Sequence, residues 1–467
     1  MSKLIKLFKW SAIVSICILY GLLTGSYVTF RFCITDFHKH WMIIHQAESV
    51  FFTLLFICSV ISINRYCRKN NRDVGGYIRS ALVVGFAVLL IITLCDEPLI
   101  KSKYNWEDVA VPEKDSVESY QIIADNFDHK NQKIDVDLSE IDIKKATLNP
   151  LAYEDAILEK WKSIKEARSI IDQLNEFNEI ADLSEPDETI DINIMEFEFI
   201  ARVYRLYALF MIEKEESIKG IHELNKIHSI AKKALPYARY LINKTIWIVI
   251  AERNIQTAYS IARRSKVDLD AIEELKKGFK PLSKKEISYK NAFITESFFM
   301  RNESIKDMKD IGQMVDGICS SFIASDICDS SFKRYYLKLI FPVILQKNKT
   351  ANIITKKLDL LIKGATLHPP EFETAGLSQL DKPVFKNSGS WILFNLSNTD
   401  LTFYPIRAAK TKTLSDILAI YLYKKTGAEI ILGDYFTGEK YVETSDPLLY
   451  KSPGYDQKLN TEDDVYF

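Results

Sequence analysis

The sequence predicts a mostly α-helical protein with three N-terminal membrane-spanning helices, an irregular helical bundle and a small α+β module at its end. Three observations carry this. Long apolar runs crowd the first hundred residues, apolar residues then recur at steps of three and four, and Pro, Gly, Asn and Ser turns appear after His368. The expected divisions are a membrane domain over 1–100, a juxtamembrane connector over 101–150, a helical domain over 151–366 and the terminal module over 367–467. A hydrophobic content of 47% supports a substantial core, and 61 basic against 62 acidic residues leave a net charge of −1. No basic patch stands out, so nucleic acid is not an expected partner.

The first span runs from about Trp10 to Phe30 without a charge, close to the ~20 residues that a bilayer core requires. Its rival, a cleaved signal peptide, would have a shorter apolar run and a small-residue cleavage site. A second span covers about Trp41 to Ile63. The third, Ser80 to Cys95, is short and is lengthened by Ile78 and a snorkelling Arg79, giving about 78–97. Lys3, Lys6 and Lys9 precede the first span, and Arg65, Arg68, Lys69, Arg72 and Arg79 fill the loop between the second and third. The excess of positive charge places the N-terminus in the cytoplasm and everything after Asp96 outside it. Gly21 and Gly25, one turn apart, mark a helix-packing face that serves either the other spans or a second copy of the chain. His45 and Glu48 fit the membrane interface.

Five cysteines (Cys17, Cys33, Cys58, Cys67 and Cys95) lie in or beside the membrane region. The other two, Cys319 and Cys328, would be ~13 Å apart on a continuous helix. A disulfide there needs a bend near Ser325-Asp326, and both the bridge and two buried thiols remain open.

Past the membrane region, a short helix is expected near Val117–Phe127 and one long helix from Leu151 to about Leu183. The acidic stretch Ser184–Asp191 breaks it. Phe199, Val203, Leu206 and Phe210 form one apolar face; Ile218, Ile221, Leu224, Ile227 and Ile230 form the next. Pro236 is expected to open a third helix carrying Ile242, Trp247, Ile250 and Ile261. Short breaks at Lys214–Glu216 and Leu235-Pro236 imply antiparallel neighbours, so a tetratricopeptide-like array is one architecture. No second copy at a fixed period is visible, which favours an irregular bundle. Further helices are expected at Asp268–Lys277, Lys284–Ser304 and Ser331–Lys363, the last interrupted at Pro342.

From His368 to Tyr404 the short apolar runs Trp391–Leu396 and Leu401–Tyr404 suggest strands. Ala408–Lys425 returns to helix, with Leu414, Leu418, Tyr421 and Leu422 on one face and Gly427 as its C-cap. The turn Asp434–Tyr441 then leads into paired strands near Tyr441–Glu443 and Leu448–Lys451.

The chain ends in Ser452-Pro-Gly-Tyr-Asp-Gln-Lys-Leu-Asn-Thr-Glu-Asp-Asp-Val-Tyr-Phe467, which gathers Asp456, Glu462, Asp463 and Asp464 around turn-forming residues. Hard carboxylate oxygens clustered in this way suit Ca²⁺. An EF-hand is excluded, because Asx is missing at the third position, Gly at the sixth and Glu at the twelfth.

This segment resembles the calcium loop of the major pseudopilins of type II secretion, which runs roughly Ser-x-Gly-x-Asp-Gly-x-x-Gly-Thr-x-Asp-Asp. The resemblance implies that Asp456, Asp463 and Asp464 are carboxylate ligands of Ca²⁺, with Ser452 and a neighbouring carbonyl completing the shell. Gln457 and Asn460 stand where the pattern has glycine. The match covers about one-thirtieth of the chain. A pseudopilin proper is not expected, since no prepilin-type leader with its glutamate opens a single hydrophobic helix. The stretch Glu198–Glu296, the Asp434–Tyr441 turn and the acidic tail together resemble a group of uncharacterised, membrane-anchored bacterial proteins with a helical exported domain and a pseudopilin-like end. That resemblance implies the bacterial inner membrane as the location and an extracytoplasmic bundle.

No metalloprotease, nucleophile-elbow, phosphate-loop or paired-cysteine motif occurs in the sequence. His222 and His228, six residues apart, are poorly spaced for one metal and are expected to flank the core. Tyr204, Tyr207, Phe210, Trp247 and Tyr259 are spaced as core. The expected role is a non-enzymatic interaction or scaffold protein of the cell envelope, with the bilayer and other envelope proteins as partners. The rivals are an envelope hydrolase or transferase with a site dispersed between helices, and a sensory or transport accessory protein.

Overall fold

Residues 195–213 are apolar on nearly every side, and the bundle is built around the helix they form. The computed structural model describes residues 99–110, 117–127, 138–139, 141–184, 194–307, 347–365, 401, 403–444, 446 and 449–467. The three expected spans, Gly21, Gly25, His45, Glu48, Cys319, Cys328 and the strand expected at Trp391–Leu396 lie outside the described residues. Among those described, no helix is long and apolar enough to cross a membrane. Contacts divide the chain into two units. Only Leu99 and the ends of two helices represent one of them among the described residues, so the architecture below is that of the other.

The described part is mostly helical. In chain order the helices are α1 (Val117–Asn126), α2 (Ile143–Leu148), α3 (Glu154–Ser163), α4 (Lys165–Glu176), α5 (Met195–Glu213) and α6 (Ser217–Ala234). They continue with α7 (Leu241–Ala262), α8 (Leu269–Gly278), α9 (Lys284–Ile287), α10 (Lys290–Asp307), α11 (Lys347–Gly364) and α12 (Phe403–Lys425). Single-turn 3₁₀ helices sit at Trp106–Asp108 and Pro150–Tyr153. Two short strands, β1 (Val442–Glu443) and β2 (Tyr450–Lys451), pair antiparallel with Val442 opposite Lys451 and Glu443 opposite Tyr450.

Fifteen of the 19 residues of α5 are buried, which makes it a central helix rather than a one-faced one. It packs against α3, α6 and α7, while α6 also meets α4 and α8. The approach of α5 to α6 depends on Gly220: a Cβ there would come within 2.7 Å of the Ala208 carbonyl oxygen. Trp161 of α3 stacks on Tyr207 of α5 at 3.8 Å, and Phe197 meets Trp247 of α7 at 5.0 Å. All five aromatics expected in the core are buried there. Within this apolar surface α5 carries a buried ion pair, where Glu198 meets Arg202 and, at 3.1 Å, Arg205. Arg205 also donates to Asn254 Oδ1 of α7 at 3.1 Å. Burial lowers the Arg205 pKa to about 10, against the opposing pull of Glu198.

Several expectations are corrected. The long helix over 151–183 is two helices, because the chain leaves helical geometry at Ile164 and ends its second run at Glu176. Ile157, Trp161, Ile164, Ala167, Ile171 and Leu174 are all buried across that break, so the apolar period does not reveal it. The stop is tertiary: Lys233 of α6 donates to the Asn175 carbonyl at 2.7 Å. Pro236 does not open the third helix. Residues 236–240 form a turn, held where Arg239 N–H donates to Asp182 at 2.9 Å, and α7 begins at Leu241.

The helix expected at Lys284–Ser304 divides at Ser288, whose backbone is extended and whose hydroxyl accepts the Lys290 N–H at 3.2 Å. Phe403 and Tyr404 belong to the first turn of α12 rather than to a strand, and Pro405 is tolerated in that turn. Ile218 and Ile242 lie on exposed sides of α6 and α7.

The C-terminal segment packs into the same core. Helix α12 lies against α7, α8 and α9, with Leu414, Leu418, Tyr421 and Leu422 buried as their spacing indicates. It stops in a Schellman turn at Gly427 (φ 74°), where Ala428 N–H reaches the Tyr423 carbonyl and Gly427 N–H the Lys424 carbonyl. The β1–β2 hairpin is fastened beneath by Tyr441, whose hydroxyl donates to Asp416 of α12 at 3.0 Å. Lys412 pairs with the same carboxylate at 2.5 Å. Burial raises the Asp416 pKa, and Lys412 and Tyr441 offset part of that rise.

Candidate functional site: the acidic C-terminal loop

Strand β2 runs directly into a loop whose neck is a two-way backbone bridge. Ser452 N–H donates to the Val465 carbonyl and Val465 N–H to the Ser452 carbonyl, each at 3.0 Å. Between them the chain must reverse within a dozen residues, and it does so through three left-handed positions: Gly454 (φ 70°), Gln457 (φ 58°) and Asn460 (φ 67°). These are the three places where the pseudopilin pattern has glycine. At Gly454 the requirement is double, since a Cβ would overlap the Asp463 carbonyl as well as adopt a disfavoured φ.

The two non-glycine residues are held in place by their own side chains. Gln457 Nε2 donates to the Phe436 carbonyl at 3.1 Å, tying the loop to the Asp434–Tyr441 turn. Asn460 Oδ1 accepts from Lys451 Nζ at 2.8 Å, tying it to β2. Left-handed geometry costs a Gln of the order of 1 kcal/mol, which one hydrogen bond of this kind offsets.

Three carboxylates then converge on Thr461. Its hydroxyl lies 2.7 Å from Asp463 Oδ1, 3.3 Å from Asp456 Oδ1 and 3.5 Å from Asp464 Oδ1, with the Lys458 carbonyl at 3.0 Å. A hydroxyl has a single proton to donate, so these acceptors outnumber it. Backbone N–H groups satisfy part of the remainder: Asp456 N–H donates to Asp463, Lys458 N–H to Asp456 and Asn460 N–H to Asp464, at 2.7–2.9 Å. Partial burial pushes the Asp463 carboxyl up, but the Asp456 N–H and Thr461 hydroxyl outweigh it and hold the group below its usual value. Lys451 stands 3.9 Å from Asp464 as a resident counter-ion.

Thus Asp456, Asp463 and Asp464 are brought together, whereas Ser452 sits at the neck. Ser452 is fully buried, and its hydroxyl accepts the Gly454 N–H at 3.2 Å. Glu462 is exposed. As the side chains stand, no three His, Cys, Asp or Glu among the described residues are arranged to hold a metal ion. The available donors around Thr461 are hard oxygens: three carboxylates, a hydroxyl and a carbonyl. That set fits Ca²⁺ and does not suit a softer metal. Thr461 and Asp464 also line a cavity of about 470 Å³ shared with Tyr259 of α7 and Tyr450 of β2.

Of two buried basic groups, His228 was expected beside the core and Lys244 has no counterpart in the expectations. Lys244 of α7 is fully enclosed and donates to the Leu235 and Glu286 carbonyls at 2.5 Å each. Burial lowers its pKa to about 7, with Glu286 opposing. His228 is buried against Phe279, ring centroids 4.1 Å apart, with neither nitrogen hydrogen-bonded. His222 is exposed, so the two histidines do not share a face. No sequence signal distinguishes Lys244 from a surface lysine, because its partners are backbone carbonyls, one after α6 and one in α9. No family model, curated protein or solved structure matches the chain.

Proposed function

We propose that the chain is a membrane-anchored, extracytoplasmic interaction or scaffold protein of the bacterial envelope, with a C-terminal loop that calcium fastens in a structural role. The observation that carries the reading is the coincidence in that loop of two independent features. Left-handed backbone occupies all three pattern positions, and the three carboxylates of the pattern surround one hydroxyl. Bound there, the ion would take oxygens from Asp456, Asp463 and Asp464, with Thr461 and the Lys458 carbonyl within reach. It would neutralise the mutual repulsion of the carboxylates and lock the loop onto β2 and the Asp434–Tyr441 turn. The apolar runs before residue 98 and the basic residues between them support the membrane anchor and its orientation.

Two experiments test the parts separately. Titration calorimetry of the full-length chain should show one calcium site that is lost in Asp463→Ala/Asp464→Ala; unchanged binding in that variant would sink the loop as the site. Labelling of single cysteines in intact and permeabilised cells should find residue 451 accessible from outside and residue 69 only after permeabilisation. The reverse pattern would overturn the orientation.

A further inference from the structure

We infer that a second site, a cavity at the start of α10, binds a phosphate-bearing anion. The cavity holds about 330 Å³ where the loop at Ala110, the Pro236 turn, the α9–α10 junction and Ala365 meet. Its walls are tied together by two side chains. Asn291 accepts the Ala110 N–H at 3.1 Å and donates to the Pro236 carbonyl at 2.8 Å. Ser288 accepts the Lys290 N–H at 3.2 Å and donates to the Ala365 carbonyl at 3.4 Å. Behind them Lys244 holds the carbonyls of Leu235 and Glu286, the neighbours of two wall segments. The cavity is therefore shaped before any ligand arrives.

Its charge is unbalanced. Lys284, Lys285 and Lys290 all line it, against a single carboxylate, Asp108, which is already bonded to the Asn105 N–H at 2.7 Å. Several lysines elsewhere in the bundle are paired with carboxylates, as Lys226 is with Asp172 and Glu223, Lys276 with Glu273 and Lys277 with Glu274. Lys284 and Lys290 have no such partner among the described residues. Lys285 bonds the Tyr237 hydroxyl at 2.8 Å. The positive end of the 18-residue α10 adds to the same field. The Lys284 and Lys290 ammonium groups beside a preformed polar pocket suit a phosphoryl group, carried by a soluble solute or by a lipid headgroup. The site is independent of the calcium loop.

Titration calorimetry of the full-length chain in detergent would use two probes: inorganic phosphate, and dihexanoyl phosphatidic acid below its micellar concentration. At least one should bind, and affinity should fall about tenfold in Lys284→Ala/Lys290→Ala and weaken as salt is raised. Lys144→Ala/Lys162→Ala, which removes the same charge from exposed positions, should bind as the wild type does. Binding by phosphate assigns a soluble ligand, and binding by the phosphatidate alone assigns a headgroup. Failure of both probes, or equal binding by the Lys284/Lys290 variant, would overturn the site. Lys284→Gln, a single change at an exposed position, gives the same test with a smaller loss should the double variant fold poorly.

Discussion

At the scale of single residues, the loop holds two non-glycine residues in left-handed backbone beside Gly454. Gln457 and Asn460 take left-handed φ because each side chain finds a partner outside the loop. Lys451, one of those partners, also places a positive charge where a cation would sit. Lys451→Met should therefore tighten calcium binding several-fold, read by calorimetry; unchanged or weaker binding would contradict the placement of the ion. His228 gives a separate prediction. Burial, together with the nearby Lys232, holds its pKa well below the usual value, so the folded state resists the proton that the unfolded chain accepts. Its contribution is complete above the unfolded value of ~6.5 and is lost as pH falls below it, by up to ~1.4 kcal/mol per pH unit. Urea unfolding between about pH 6.5 and pH 5 should show that slope, and His228→Phe should flatten it. An identical slope in the variant would assign the loss to other groups.

At the scale of elements, Gly220 sets the distance between the central helix α5 and α6. Gly220→Val should lower stability by about 1–3 kcal/mol, measured by denaturant unfolding, since the Ala208 carbonyl and Met211 leave no room for a side chain. A neutral result would mean that α5 and α6 can separate without cost. Helix positions were largely legible because the apolar steps of α5, α6, α7 and α12 are long and regular. The Gly427 stop, the Asp434–Tyr441 turn and the β1–β2 pairing were legible from local turn chemistry. Breaks at Ile164, Glu176 and Ser288 were not, because the apolar stripe runs on through the first and because Lys233 of α6 caps the second. In the loop, the convergence of Asp456, Asp463 and Asp464 on Thr461 could be read from the resemblance. Its neck could not, since Ser452 is placed by pairing with Val465 and not by its hydroxyl. The buried Lys244 depends on carbonyls of Leu235 and of Glu286 in α9, which leave no local mark.

At the scale of the whole molecule, the described C-terminal segment is part of the bundle's core. Helix α12 lies on α7 and α8, and Phe467 stacks on Tyr259 of α7 at 3.9 Å. Leu418→Ala should thus cost about 2–5 kcal/mol, and unfolding followed by far-UV dichroism and by aromatic fluorescence should remain a single coincident transition. Two separated transitions would show that the C-terminal segment folds by itself. Because the loop is joined to this shared core, an ion bound there stabilises more than the loop, by RT ln(1 + [Ca²⁺]/Kd), or ~2.7 kcal/mol at a hundredfold excess over Kd. The most direct test of the account is thermal unfolding of the full-length chain during calcium titration, with magnesium as the comparison ion. The melting temperature should climb by several degrees with calcium, much less with magnesium, and not at all with calcium in Asp463→Ala/Asp464→Ala. No shift at millimolar calcium, or the same shift in the variant, would contradict it.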